Sequence, residues 1–183
     1  MQDFALMNQS LQAINYHQEE QKTMKKILIS WIGMTDLKAS KWVEGVGIGP
    51  IAQAVTNRLF DKVVLISNYS EIENNAYINW LKTKTSVEIE HYHEQLTDPT
   101  NYEQIYFIDI KVVTDVLAKN GSNISLTFHI SPGTPAMQTV WIILAKTRFE
   151  AELIESSKEQ GVKTPYIPFE ISAEFIPKLL QST

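Results

Sequence analysis

The feature that most limits what this chain can fold into is the alternation of short apolar runs with helix-length segments. The runs are Ile27–Ile32, Lys62–Ser67, Val87–Tyr92, Ile124–Ile130 and Phe149–Ser156. A strand covered on both faces reads as a nearly continuous apolar run, and parallel neighbours must be joined by crossovers long enough to hold a helix. The order therefore predicts an α/β fold, a Rossmann-like and mostly parallel sheet with helices on both faces. In the third run Val87 and Ile89 alternate with charged residues, as suits an edge strand.

The connections carry helix signals. Pro50 suits a first helical turn, and Ile51, Ala54, Val55 and Leu59 predict a helix to about Phe60. A second begins near Ser70 or Glu71, a third follows Asp98-Pro99 and stops at Asn120-Gly121, and a fourth spans Pro135 to Thr147, apolar on nearly every side. Gly33 to Gly49 reads as a long loop, and residues 164–171 as a final short strand. Residues 1–24 form a polar extension in which Phe4, Met7, Leu11 and Ile14 recur at helical steps. It reads equally as a packed amphipathic helix or a frayed extension, which leaves residues 25–183 as the domain.

Sixteen Lys and Arg against 21 Asp and Glu give a net charge of -5. That argues against a broad nonspecific nucleic-acid surface, which needs a basic footprint, but leaves room for one small anion site. The absence of cysteine removes disulfides and thiolate metal sites and fits a reducing compartment. With no membrane-length apolar run and no signal peptide, the expectation is a cytoplasmic protein with no membrane partner.

In a sheet of order 3-2-1-4-5, the loops leaving strands one and four diverge and open a crevice. The two most unusual loops leave those same strands: Ser30–Pro50, and His129–Met137 with the sequence HISPGTPAM. Helix N-termini at both places offer amides to an anion, and Gly133 and Thr134 suit a phosphate cradle. The alternative is a tight turn capped by Thr134. Neither GxGxxG after strand one nor GxxxxGK is present, so nicotinamide and ATP lack their usual support and no cofactor is expected. His129 stands where it can line the crevice, meet a phosphate or rest as a satisfied core-edge group. Asp36, His129 and Ser131 can be drawn as a hydrolytic triad, but no GxSxG elbow supports one. His91 and His93 share a strand face without an evident third metal ligand, so no metal site is expected. Trp31 and Trp42 offer flat surfaces to a base, although Trp31 reads equally as core.

The block HISPGTPAMQTVWIILAKT, with AELIESS and IPFEIS after it, resembles the sensory domain called CARF, the CRISPR-associated Rossmann fold. The similarity is to the version at the N-terminus of RNA-repair operon regulators and related CRISPR effectors, and covers about residues 25–176. The resemblance implies a homodimer in which a cyclic oligoadenylate, or a related RNA-end signal, lies across the two-fold axis. By the same correspondence Gly33, Met34, Thr35 and Asp36 would contact adenine or ribose. Ser131, Gly133, Thr134, Ala136 and Met137 would hold phosphate and ribose. Many relatives carry Lys or Arg where this chain has Pro135, leaving Lys38, Lys41 or Arg148 to supply charge. The expected function is a ligand-sensing domain in antiviral defence that regulates an effector, either fused beyond residue 183 or separate. The enzymatic alternative is a ring nuclease cleaving the same ligand, with Ser131, Thr134 or a lysine positioning the reacting groups. A third reading is a nucleotide-binding enzyme whose fingerprint has drifted.

Overall fold

A computed structural model describes residues 24–168, and the preamble helix considered for residues 1–23 lies outside them. The elements are β1 (Lys25–Trp31), α1 (Met34–Ser40), α2 (Pro50–Asn57), β2 (Lys62–Ser67), α3 (Glu71–Leu81), β3 (Glu88–His93), α4 (Tyr102–Asn120), β4 (Ile124–His129), α5 (Pro135–Thr147), β5 (Ala151–Ser157) and β6 (Gly161–Lys163). The sheet order is β3-β2-β1-β4-β5-β6. All neighbouring pairs are parallel except β5 with β6. This is the Rossmann-like arrangement expected, with β1 and β4 adjacent where the order reverses and Ile29 opposite Phe128.

Alternation along each strand builds two cores. Ile27, Ile29 and Trp31 pack with Val64, Ile66 and Phe128 beneath α4 and α5, whose Val112, Val116, Trp141 and Leu144 close that layer. Leu28, Ile32, Val63 and Leu65 face the other way, onto Leu37 of α1, Ile51 and Ala54 of α2, and Tyr77 and Leu81 of α3. Cover on both faces explains why β1 and β2 are apolar at nearly every position. The edge strand β3 has Ile89 and Tyr92 half-buried on opposite faces.

Three expectations are corrected. The supposed loop from Gly33 to Gly49 begins with helix α1, because the Asp36 carboxylate accepts the amide of its own N-cap, Gly33, and Leu37 is buried. The helix after Pro50 stops at Asn57, where Arg58 turns extended. The last described strand is Gly161–Lys163 rather than 164–171: the chain reverses after Ser157, with the Gln160 amide on the Ser157 hydroxyl, and returns antiparallel to β5. Residues 164–168 form no strand, and 169–171 lie outside the described residues. Among the described residues, no helix is long and apolar enough to cross a membrane.

Trp31 belongs to the core, fully buried, with its indole Nε1 donating to Asp109 Oδ1 of α4 at 2.9 Å. The other Asp109 oxygen is buried without a partner, and burial holds this carboxyl well above the usual carboxylate range. A buried polar pair costs most when half of it is removed. Trp31→Phe should therefore cost about 1–3 kcal/mol of stability by stranding Asp109, whereas Trp31→Phe combined with Asp109→Leu should recover part of that loss. Denaturant unfolding of the two variants measures the difference, and a double variant less stable than the single one would contradict the pairing.

Candidate functional site

The site lies at the carboxyl ends of β1 and β4, where two turns meet. A Cβ placed on Gly33 would stand 2.7 Å from the Gly133 amide nitrogen, so the two turns approach more closely than any side chain would allow at that point. Gly133 has φ +88, and a Cβ there would meet Met137 Sδ at 2.6 Å. Both glycines are fixed by packing between and within the turns.

Beneath this contact runs a chain of buried polar groups. Asp36, fully buried, accepts the Gly33 amide at 3.1 Å through one oxygen and the Ile51 amide of α2 at 2.9 Å through the other. The buried Tyr77 hydroxyl faces the same carboxylate but closes no hydrogen bond to it. Burial pushes Asp36 up to about 7, against the pull of the Ile51 and Gly33 amides.

His129 lies on the same face of the sheet, buried between Ser30 Oγ (3.4 Å from Nδ1) and Ser156 Oγ (2.7 Å from Nε2). The Ser156 hydroxyl donates to the Pro50 carbonyl at 3.0 Å. Its single proton is thus used, and it accepts from His129 Nε2–H, leaving Nδ1 without a proton. Burial lowers the imidazole to about 3, so it is neutral at physiological pH.

These positions divide the sequence-derived residues into two groups. Met34, Thr35 and Gly133 are exposed and Ser131 and Thr134 half-exposed, so these five form the accessible rim. Trp31, Gly33, Asp36, His129, Ala136 and Met137 are buried. Trp31 presents no face to a base, which corrects that expectation: its ring fills the core under α4. Asp36 and His129 hold the turns from below, and Met137 Sδ accepts the Thr134 amide at 3.4 Å. Thr134 caps α5 by accepting the Met137 amide, and its hydroxyl donates to the Pro99 carbonyl at 2.7 Å. The hydrolytic triad is not assembled: His129 contacts Ser30 and Ser156, while Ser131 Oγ accepts the Ser156 amide at 2.7 Å.

The proposed cations separate as well. Lys38 is exposed on α1, Lys41 pairs with Glu73 at 3.6 Å, and Arg148 lines a cavity at the opposite end of the sheet, which removes it from the crevice. A cation the sequence did not single out, Lys158, reaches from the β5–β6 turn to the Gly45 carbonyl at 3.2 Å. Trp42 stands exposed beyond α1, with Lys84 Nζ 5.1 Å over its ring. His91 and His93 stack at 6.5 Å on β3, and among the described residues no cluster of three or more His, Cys, Asp or Glu could hold a metal. A cavity of about 360 Å³ adjoins the rim at Ser131 and continues along Ser156, Ser157 and Gly161.

Ser30, Ser156 and Asp109 escaped sequence reasoning. Each leaves a faint signal: a small polar residue inside an apolar strand, or a carboxylate in register with the buried stripe Ile105, Val112 and Val116 of a helix.

The fold is shared with solved structures, two of which hold ring ligands. Csm6 of Enterococcus italicus, bound to cyclic hexa-2'-fluoro-hexa-dAMP, superposes with a TM-score of 0.60 at 16% identity, over 87% of this chain and 40% of its own. Can2 of Sulfobacillus thermosulfidooxidans, in complex with cyclic tetra-adenylate, gives 0.56 at 12% identity over 76% and 34%. The protein VC1899 of Vibrio cholerae gives 0.53 at 10% identity over 78% and 33%. This chain thus spans between a third and two-fifths of the length of those proteins. No protein-family model and no curated protein matches the sequence.

The raised pKa of Asp36 sets a pH dependence. Its folded value of about 7 exceeds the ordinary 3.8, so between those values the folded state holds a proton that the unfolded chain has released. Stability from this group is then greatest in acid and falls by about 1.4 kcal/mol per pH unit as pH rises from 4 to 7. Asp36→Asn removes that slope. The difference in unfolding free energy between parent and variant should shift in favour of the variant across this window and level off above it. Subtracting the two curves cancels the opposite contribution of His129, whose depressed value lowers stability as pH falls below 6.5. A difference independent of pH would contradict the burial of an ionisable Asp36.

Proposed function

We propose that this chain is a sensor that binds a cyclic oligoadenylate in the crevice between the β1–α1 and β4–α5 turns. The observation that carries this reading is the Gly33–Gly133 approach, which brings two helix N-termini together at the point where the sheet order reverses. Helix N-termini supply amide donors and a favourable potential for phosphate without a formal charge. Such a site suits a chain of net charge -5 that has Pro135 at the start of α5. The two counterparts with ring ligands lend support at the level of fold.

The reading includes a homodimer with the ring on its two-fold axis, because a ring with repeated nucleotides presents equivalent groups to equivalent turns. It also places the chain in antiviral defence, acting on an effector that is fused or separate. Binding is favoured over cleavage by one specific arrangement: the Thr134 hydroxyl spends its proton on the Pro99 carbonyl, and His129 is buried with Nε2 on Ser156. Neither stands ready to move a ribose proton.

Native mass spectrometry with a mixture of cyclic tri-, tetra- and hexa-adenylates tests the proposal. The expected spectrum shows one intact ring per two chains, with its mass unchanged after prolonged incubation. Failure to retain any ring, or one ring on each monomer, would overturn it, and linearised product would move the assignment to the nuclease.

A further inference from the structure

Helix α2 is tied at both ends, and the ties lead to opposite ends of the sheet. At its N-terminus the Ile51 amide is held by Asp36, and the Pro50 carbonyl by Ser156, directly beneath the crevice. At its C-terminus Arg58 Nη1 donates to Glu152 Oε1 at 2.7 Å and Nη2 to Thr164 Oγ1 at 3.2 Å, while Thr164 donates to the same Glu152 oxygen at 2.8 Å. Glu152 lies at the start of β5, and Thr164 directly after β6.

Between those ends α2 buries Ile51, Ala52 and Ala54 completely, in the cluster that also takes up Ile154 of β5 and Val162 of β6. A two-turn helix packed this tightly shifts as a body. Displacing its N-terminus must strain the Arg58 contacts or carry them along. Beside Arg58 the structure has an exposed Leu59 and a cavity of about 300 Å³ reaching Phe60 and Thr127.

We infer that α2 carries the state of the crevice to the Arg58–Glu152–Thr164 cluster at the other end of the sheet. The inference concerns regulation of the proposed binding site and rests on that reading for its biological meaning. The mechanical coupling it requires exists without ligand.

Hydrogen–deuterium exchange on the whole chain separates the two. Asp36→Asn leaves one oxygen for two amides and should accelerate exchange of the Gly161–Thr164 segment roughly tenfold, with Val112–Leu117 of α4, in the other core, unchanged as the control for general loosening. In an Arg58→Ala background, Asp36→Asn should add nothing at Gly161–Thr164. If Asp36→Asn does not fold, Ser156→Ala cuts the second tie and replaces it. The coupling is overturned if Gly161–Thr164 is indifferent to loss of the upper tie, if α4 loosens equally, or if the effect persists without Arg58. A second arm adds cyclic tetra-adenylate: protection of Gly161–Thr164 should appear in the parent and vanish in Arg58→Ala, with affinity retained. If that ring and its homologues do not bind, the ligand reading fails while exchange in the unliganded chain still decides the coupling.

Discussion

A buried carboxylate organises the crevice end of this molecule. Asp36 stands out of reach of solvent and accepts amides from two segments that are distant along the chain, the turn after β1 and the first turn of α2. Taking such a group out of water is costly, and the shift of its pKa to about 7 is the direct expression of that cost. An apolar residue would pack there more cheaply but would leave both amides without acceptors. The carboxylate thus gives up stability to fix the relative position of α1 and α2, and through Gly33 it sets where the β1 turn meets the β4 turn.

His129 performs the corresponding task beneath the β4 turn, on the same face of the sheet. Its two nitrogens link Ser30 of β1 to Ser156 of β5, and Ser156 continues to α2 through Pro50. Neighbouring polar groups in a low-dielectric interior reinforce one another when all are satisfied, and this network is closed at nearly every atom. The rim above it is backbone together with a few small side chains. The buried polar groups below fix the placement of the rim's backbone amides, on which the proposed anion recognition would depend.

The sheet was legible because strand burial is a one-dimensional signal: runs apolar at almost every position, such as KVVLIS, have few other uses in a protein of this size. The turns were legible because Gly133, Thr134 and Pro135 have specific conformational meaning. Asp36 was singled out for the wrong reason. Its spacing from Gly33 is that of a capping box, yet a carboxylate in a loop beside glycines reads as ligand-facing until burial is known. Helix α1 was missed for the same reason, since seven residues with one buried leucine carry too weak a period. Trp31 shows the limit from the other side, because a strand-end aromatic points either into the core or into a crevice according to a register that composition does not encode.

The reading of the crevice also explains its economy of charge. With Arg148 at the far end of the sheet and Lys41 paired to Glu73, the phosphates of a ring would be met chiefly by amides, with Lys38 and Lys158 nearby as adjustable cations. Amide-resolved NMR of the chain during titration with cyclic tetra-adenylate or cyclic hexa-adenylate tests this most directly. The account predicts that shifts concentrate on Met34, Thr35, Gly133, Thr134 and Ala136, with smaller changes along α2. Shifts centred instead on Ser125, Arg148 and Phe149, around the cavity at the opposite end of the sheet, would contradict it.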